Sequence, residues 1–208
     1  MSFHSLKLRA NCYFAAEKIV VMKKILILFA FVALVIFVYL VNEGLLSDVQ
    51  IIDRAMPGYR VVGLEHLGPY NKIGDSFRSV QKIAEEQGVP VKMIGVYFDN
   101  PDVVEEDSLQ SLAGLVVSES DSAKLSSLPN LRGLYIPPGS AVVCSFATDG
   151  VVSMILGAMK SYPKLTEYVT AANKANDIEY VYEVYGEDQT EYVMQFRSSA
   201  NSGVQPAR

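Results

Sequence analysis

Beyond residue 58 the apolar positions follow two periods, and the switches between them mark the predicted elements. Tyr59–His66 has the composition of a strand, and Leu67-Gly68-Pro69-Tyr70 stops it. A helix follows, with Ile73, Phe77, Val80 and Ala84 on one face at i, i+4, i+7 and i+11. Gly88 is placed to cap its C-terminus, and Pro90 prevents continuation. Val91–Phe98 is a strand closed by the turn signal Asp99-Asn100-Pro101. Asp102–Ser108 is an acidic loop, Leu109–Val117 a strand, and Ser118–Ser127 a polar surface connection.

The second half repeats this order. Leu131–Ile136 and Ala141–Ala147 read as strands around Pro137-Pro138-Gly139. Val151–Met159 reads as a helix with Val152, Ile155, Leu156 and Met159 on one face. Pro163 interrupts it and suits the first turn of a second helix, which carries Leu165, Tyr168, Val169 and Ala172 on one face. Ile178–Tyr185 and Thr190–Phe196 close the chain as two strands around a polar turn. The expected fold is α+β: two strand-helix-strand-strand repeats with pseudo-twofold symmetry and one extra strand, Leu131–Ile136. Tyr97 and Tyr185 are counterparts if the halves are.

The N-terminal part follows a different pattern. Ile25–Val41 holds seventeen residues without a charge, preceded by Lys23 and Lys24. That is the short end of a transmembrane helix. A cleaved signal is the rival, but the exit Asn42-Glu43-Gly44-Leu45-Leu46 has no Ala-x-Ala pattern, so a signal anchor is preferred. The positive-inside rule keeps Lys23 and Lys24 in the cytoplasm and sends the remainder across; a basic pair before an apolar run is also how a bacterial export signal begins, so a bacterial inner membrane is expected. Residues 1–24 form a basic extension. Its alternatives are a misplaced start, with Met22 as the true one, and a poorly ordered cytoplasmic segment. Residues 42–58 are a tether, and 198–208 a flexible tail.

Charge narrows the partners. Residues 1–24 carry five Lys/Arg and one Glu, whereas residues 42–208 carry thirteen Lys/Arg and twenty-two Asp/Glu. An acidic domain without a basic stripe argues against nucleic acid and against docking on anionic lipid. Cys12 and Cys144 lie on either side of the apolar run, with no second Cys near either, so neither zinc spacing nor a redox pair is present. No cofactor or metal is expected.

The candidate chemistry lies in Tyr182-Glu183-Val184-Tyr185. Period 2 puts Glu183 and Tyr185 on one face of the strand, and Tyr182 and Val184 on the other. Glu183 either faces water or sits on the floor of an aromatic pocket, where burial raises its pKa unless a cation meets it.

Three stretches carry a resemblance: His66-Leu67-Gly68-Pro69-Tyr70, Gly95-Val96-Tyr97-Phe98-Asp99-Asn100-Pro101 and Glu183-Val184-Tyr185. Together they resemble the GyrI-like small-molecule-binding domain over roughly residues 59–197. That family also supplies effector-binding domains of multidrug-responsive regulators. A membrane-anchored animal member that acts in ER-phagy is a closer likeness. Its architecture is expected to carry over, and its autophagy role, which uses a long acidic tail, is not. The resemblance implies a cleft between the repeats that binds a small apolar or cationic ligand. It places Glu183 at the acidic position that meets the charge, Tyr70, Tyr97 and Tyr185 as aromatic walls, and His66 at the rim. For any single tyrosine, ordinary core packing is the competing explanation. Some relatives hydrolyse strained electrophiles, which would make Glu183 a general base aided by a tyrosine hydroxyl. A non-catalytic, partner-binding domain with a filled cleft is the third reading. The protein partner is not identified.

Overall fold

The computed structural model describes residues 3–198, with side chains from residue 21 onward. The expected flexible tail thus lies, from residue 199, outside the described residues. The chain divides into two units, residues 1–47 and 48–208.

The first unit is one helix, α1 (Phe3–Asn42). It runs through most of the basic extension and past both bounds of the expected 25–41 span. Its Val21–Asn42 part is 22 residues long and apolar enough to cross a bilayer, a test that a signal sequence also passes. Leu26, Ile27, Phe29 and Phe31 are each more than three-fifths exposed. Apolar surface of that extent is normally covered by lipid or protein.

The second unit is an antiparallel sheet of eight strands carrying three helices. The elements are β1 (Ile51–Met56), β2 (Tyr59–Leu67), α2 (Gly74–Gln87), β3 (Met93–Tyr97), β4 (Gln110–Val116), α3 (Glu119–Ser126), β5 (Leu131–Ile136), β6 (Gly139–Ala147), α4 (Val151–Ala171), β7 (Ile178–Tyr185) and β8 (Gln189–Phe196). The sheet order is β1-β6-β8-β7-β3-β4-β2-β5. Read from either end the order is the same once the halves are exchanged, so a pseudo-twofold passes between β7 and β3. β1 joins the second half by pairing with β6, and β5 joins the first by pairing with β2. The exchange is in register: Met56 lies opposite Gly139 as Ile136 lies opposite Tyr59. Two-residue links, Pro57-Gly58 and Pro137-Pro138, make both crossings. Links that short require the sheet to curl until its two ends approach.

Three departures from the sequence expectation have local causes. The tether over 42–58 contains β1, whose middle residues are exposed because it is an edge strand. The polar connection 118–127 contains α3, whose N-cap Ser118 accepts from the Asp121 amide, with Leu125 buried beneath. Pro163 does not split α4, which is one helix of 21 residues. An interior proline forfeits a helix hydrogen bond, but Ser161, Leu165 and Val169 are buried around it and hold the helix to the sheet.

Both faces of the sheet are covered. One carries a core of Tyr59, Val61, Ile94, Leu112, Ile136, Val143, Tyr182 and Val193, enclosed by the curl. On the other face α2 packs over β2 and β4, with Val62, Val80, Ala84 and Leu115 buried between them. There α4 packs over β6 and β8, burying Cys144, Phe146, Leu165, Val169 and Tyr192. The Val, Leu, Ile and Phe side chains among these contribute about 1.5–3 kcal/mol each when fully buried. The helices thus sit over the outer strands of each half, and the central pair β3 and β7 lies beneath the space between them.

Candidate functional site

The middle of the sheet is set by one rung of the β3–β7 ladder, where Gly95 lies opposite Glu183. Directly opposed residues of an antiparallel pair point to the same face. Glu183, Tyr185 and Tyr97 therefore share the helix-bearing face, while Tyr182 and Val184 enter the enclosed core. Gly95 leaves the space that the tyrosines use. A Cβ there would stand 3.1 Å from the Phe77 ring and from the Tyr97 hydroxyl, and 3.4 Å from the Tyr185 hydroxyl.

Glu183 is 7% exposed and accepts three hydrogen bonds. Tyr162 Oη donates to Oε1 at 2.8 Å. Tyr97 Oη and Tyr185 Oη both donate to Oε2, at 3.1 and 2.5 Å. No Lys or Arg forms an ion pair with Glu183 among the described residues. Burial raises its pKa above the ordinary carboxylate value, and the three phenol hydrogen bonds pull against that rise without cancelling it. Burial, followed by the neighbouring Glu183 charge, holds the Tyr97 and Tyr162 hydroxyls well above the ordinary phenol range. Tyr185 is held up by burial, then by Tyr97 and Glu183. All three phenols are thus neutral donors at any physiological pH. Tyr97, Tyr162 and Tyr185 are each half-buried, with their hydroxyls turned in on the buried carboxylate.

Each tyrosine has its own support. Tyr70 packs edge-on against Tyr97 with centroids 4.8 Å apart. Its hydroxyl donates to the Asp99 carbonyl and accepts from the Asp99 amide, which fixes the turn after β3. Phe77 of α2 meets Tyr185 edge-on at 5.3 Å, and Tyr192 of β8 meets Tyr162 at 5.7 Å. Edge-to-face pairs of this kind are worth about 0.5–1.5 kcal/mol beyond their burial.

The structure brings Glu183, Tyr97 and Tyr185 together directly, and Tyr70 through the ring of Tyr97. It does not bring His66 to the carboxylate. His66 lies on β2, which β4 and β3 separate from β7, and its Nε2 is 3.1 Å from the Pro69 carbonyl. It ties its own turn. Tyr162 and Phe77 were not among the expected site residues. Tyr162 precedes Pro163, where a helix break was expected, so its outlook over β7 had no visible period. Phe77 shared the apolar line of α2 with Val80 and Ala84 but stands at its edge, half-exposed. Among the described residues no group of three His, Cys, Asp or Glu is placed to hold a metal.

Comparison with known proteins places this geometry in a family. The model of the GyrI-like small molecule binding domain matches residues 49–195. Testis-expressed protein 264 of Homo sapiens is 27% identical in an alignment of 140 positions that covers 61% of this chain and 42% of that protein. The chain thus spans less than half the length of that curated relative. Among solved structures, an EcmrR–DNA complex aligns with TM-score 0.53 and 13% identity over 93% of this chain and 72% of that one. An integron cassette protein from Vibrio cholerae aligns with TM-score 0.48 and 14% identity over 72% of this chain and 98% of that one. Since one fold neighbour is bound to DNA, the fold alone does not exclude nucleic acid. The expectation of none rests on charge.

Proposed function

The chain belongs to the GyrI-like small-molecule-binding domain family, and on that premise we propose that the space between α2 and α4 binds flat, apolar ligands, with positive charge adding affinity through Glu183. The N-terminal helix anchors the domain to a membrane, with Lys23 and Lys24 on the cytoplasmic side and the domain on the other. One observation carries the ligand reading: Glu183 is buried, accepts only phenol hydrogen bonds and forms no ion pair among the described residues. A buried carboxylate without a counter-charge costs several kcal/mol. A ligand cation brought near it recovers part of that cost, and the flanking tyrosine rings supply cation–π and apolar contact.

The test uses the full chain in detergent, with tetraphenylphosphonium and the neutral triphenylphosphine oxide as probes. Glu183→Gln keeps the side-chain volume. It is expected to weaken the cation by roughly ten- to hundredfold and the neutral probe by less than about threefold, as loss of one charged contact implies. Equal weakening of both probes would remove the electrostatic role.

A hydrolase of strained electrophiles is the second reading. It is favoured by the raised pKa of Glu183, which brings the carboxyl nearer the range in which it accepts a proton at neutral pH. If turnover of an epoxide is the activity, Glu183→Gln abolishes it while neutral substrate still binds.

A further inference from the structure

The two halves can be matched residue by residue outward from their crossings. Met56 corresponds to Ile136 and Tyr59 to Gly139. Counted along β2 and β6, His66 then corresponds to Phe146 and Gly68 to Thr148. His66 lies opposite Ser111, and Phe146 lies opposite Thr190, so Ser111 corresponds to Thr190. The backbone repeats the match. The Gly68 amide donates to the Leu109 carbonyl at 2.8 Å, as the Thr148 amide donates to the Asp188 carbonyl at 3.0 Å.

The side chains at these matched places differ. Thr190 is 1% and Thr148 8% exposed, and their hydroxyls stand 3.0 Å apart, so one donates to the other. Ser111 is as deeply buried as Thr190, yet its hydroxyl has no hydrogen-bond partner among the described residues. Gly68, in the place of Thr148, has no side chain to give. It is buried, and a Cβ built on it would meet nothing within 4 Å. A buried hydroxyl without a partner costs free energy, and the fold leaves room at Gly68 for a group that the chain does not supply.

Ser111 also belongs to the wall of the site. It lies opposite Tyr97 and so shares the helix-bearing face with it. Tyr97 donates to Glu183, and Tyr70, edge-on against Tyr97, donates to the carbonyl of Gln110, the residue before Ser111. From Glu183, Ser111 is two strands across and two residues along, roughly 12 Å between Cα atoms. A cation against Glu183 and an acceptor on Ser111 would then stand roughly 5–8 Å apart, the reach of one substituted phenyl ring.

We propose that Ser111 is a specificity-determining contact of the ligand site. Its hydroxyl donates to a neutral acceptor, a carbonyl or ether oxygen, carried one ring's length from the ligand's cation. That acceptor takes the part that Thr148 plays in the second half. The proposal rests on the ligand reading above.

The test uses the full chain in detergent and two cations of matched shape. They are (4-acetylphenyl)triphenylphosphonium and (4-isopropenylphenyl)triphenylphosphonium, in which a methylene replaces the carbonyl oxygen. The unaltered chain should bind the acetyl probe about fivefold more tightly. Ser111→Ala should erase that preference and leave the isopropenyl affinity within about twofold. Without ligand, Ser111→Ala should be at least as stable as the unaltered chain, whereas Thr190→Ala should lose stability by breaking a hydroxyl pair. Equal affinity of the unaltered chain for both probes overturns the proposal, as does a preference that survives Ser111→Ala. A stability loss in Ser111→Ala as large as that in Thr190→Ala, with no acetyl preference, assigns the hydroxyl to a bound water and likewise overturns it. Glu183→Gln separates the contact from the charge. If it leaves both affinities unchanged while Ser111→Ala removes the preference, the electrostatic role falls and the Ser111 contact stands. If neither probe binds the unaltered chain, the ligand reading and the contact fall together.

Discussion

The two halves of the domain share strand order, register and crossings, yet they differ where the pseudo-twofold passes. Carrying the register through the short links makes Gly95 the counterpart of Glu183 and Tyr97 the counterpart of Tyr185. The two counterparts Gly95 and Glu183 are also each other's rung partners. A rung on the axis has room for one large side chain. The first half gives up its Cβ and supplies Tyr97 and Phe77, and the second half supplies the charge, Tyr185 and Tyr162. A nearly symmetric scaffold thereby holds an asymmetric site with one carboxylate. Two acids on that rung would each raise the other's pKa.

A second rung shows the same division in the enclosed core. Gly63 faces Gly114 in the first half, and their counterparts Val143 and Val193 face each other in the second. A Cβ on Gly63 would stand 2.1 Å from the Ala113 carbonyl oxygen and 2.6 Å from the Gly114 Cα. The first half closes backbone on backbone where the second packs methyl groups.

That contrast gives the largest expected effect. Gly63→Ala should cost about 3 kcal/mol or more in urea unfolding of the full chain, because the obstacle is backbone and cannot rotate away. Val143→Ala should cost about 2 kcal/mol through cavity formation. A smaller loss for Gly63→Ala than for Val143→Ala would break the comparison. Next in size is Gly157→Ala, at about 2 kcal/mol, since Tyr192 and Phe146 must both shift. Movement of Tyr192 should also disturb Tyr162, so tetraphenylphosphonium affinity should fall with stability. Unchanged affinity would show that Tyr162 is held independently.

Gly95→Ala should have a smaller effect on stability, about 1 kcal/mol, because its neighbours are the ends of three side chains that can give by tenths of an ångström. Its effect should concentrate on the site, with cation affinity falling about fivefold. An unaltered affinity would mean that the room left by Gly95 is not used by the ligand. The smallest expected effect is on pH dependence. The folded-state pKa of Glu183 is raised above its unfolded value near 4.5. Its contribution to stability is fully present below that value and is lost as pH rises through the folded pKa. Thermal unfolding should therefore favour Glu183→Gln increasingly as pH rises above about 4.5, with the two proteins alike below it. A constant difference across that range would place the titration elsewhere.

Much of this was legible in the sequence, for reasons that also explain the misses. Seven of the eight strands carry runs of β-branched and aromatic residues with clear turn signals. β1 does not, because its centre, Asp53-Arg54-Ala55, faces solvent at the sheet edge. In α4 the expected apolar face included Ile155 and Met159; the structure leaves both exposed and buries Ser153, Gly157 and Ser161. Hydrophobic periodicity marks the greasy side of a helix. It cannot tell whether the sheet beneath, already filled by Tyr192 and Phe146, has room for large side chains. Glu183 and Tyr185 were legible from period 2 alone, and Tyr97 from the counterpart relation. Tyr162 was not, because its role depends on a helix continuing through Pro163.

The central claim is that one carboxylate on the axis lacks a counter-charge until a ligand brings it. The most direct measurement is the titration of Glu183 itself by carboxyl ¹³C NMR in the detergent-solubilised chain, with Glu183→Gln to assign the signal. The account predicts a midpoint above the ordinary glutamate value near 4.5, moving down when tetraphenylphosphonium is added. A midpoint at or below the ordinary value without ligand, or one that the cation leaves in place, would contradict it.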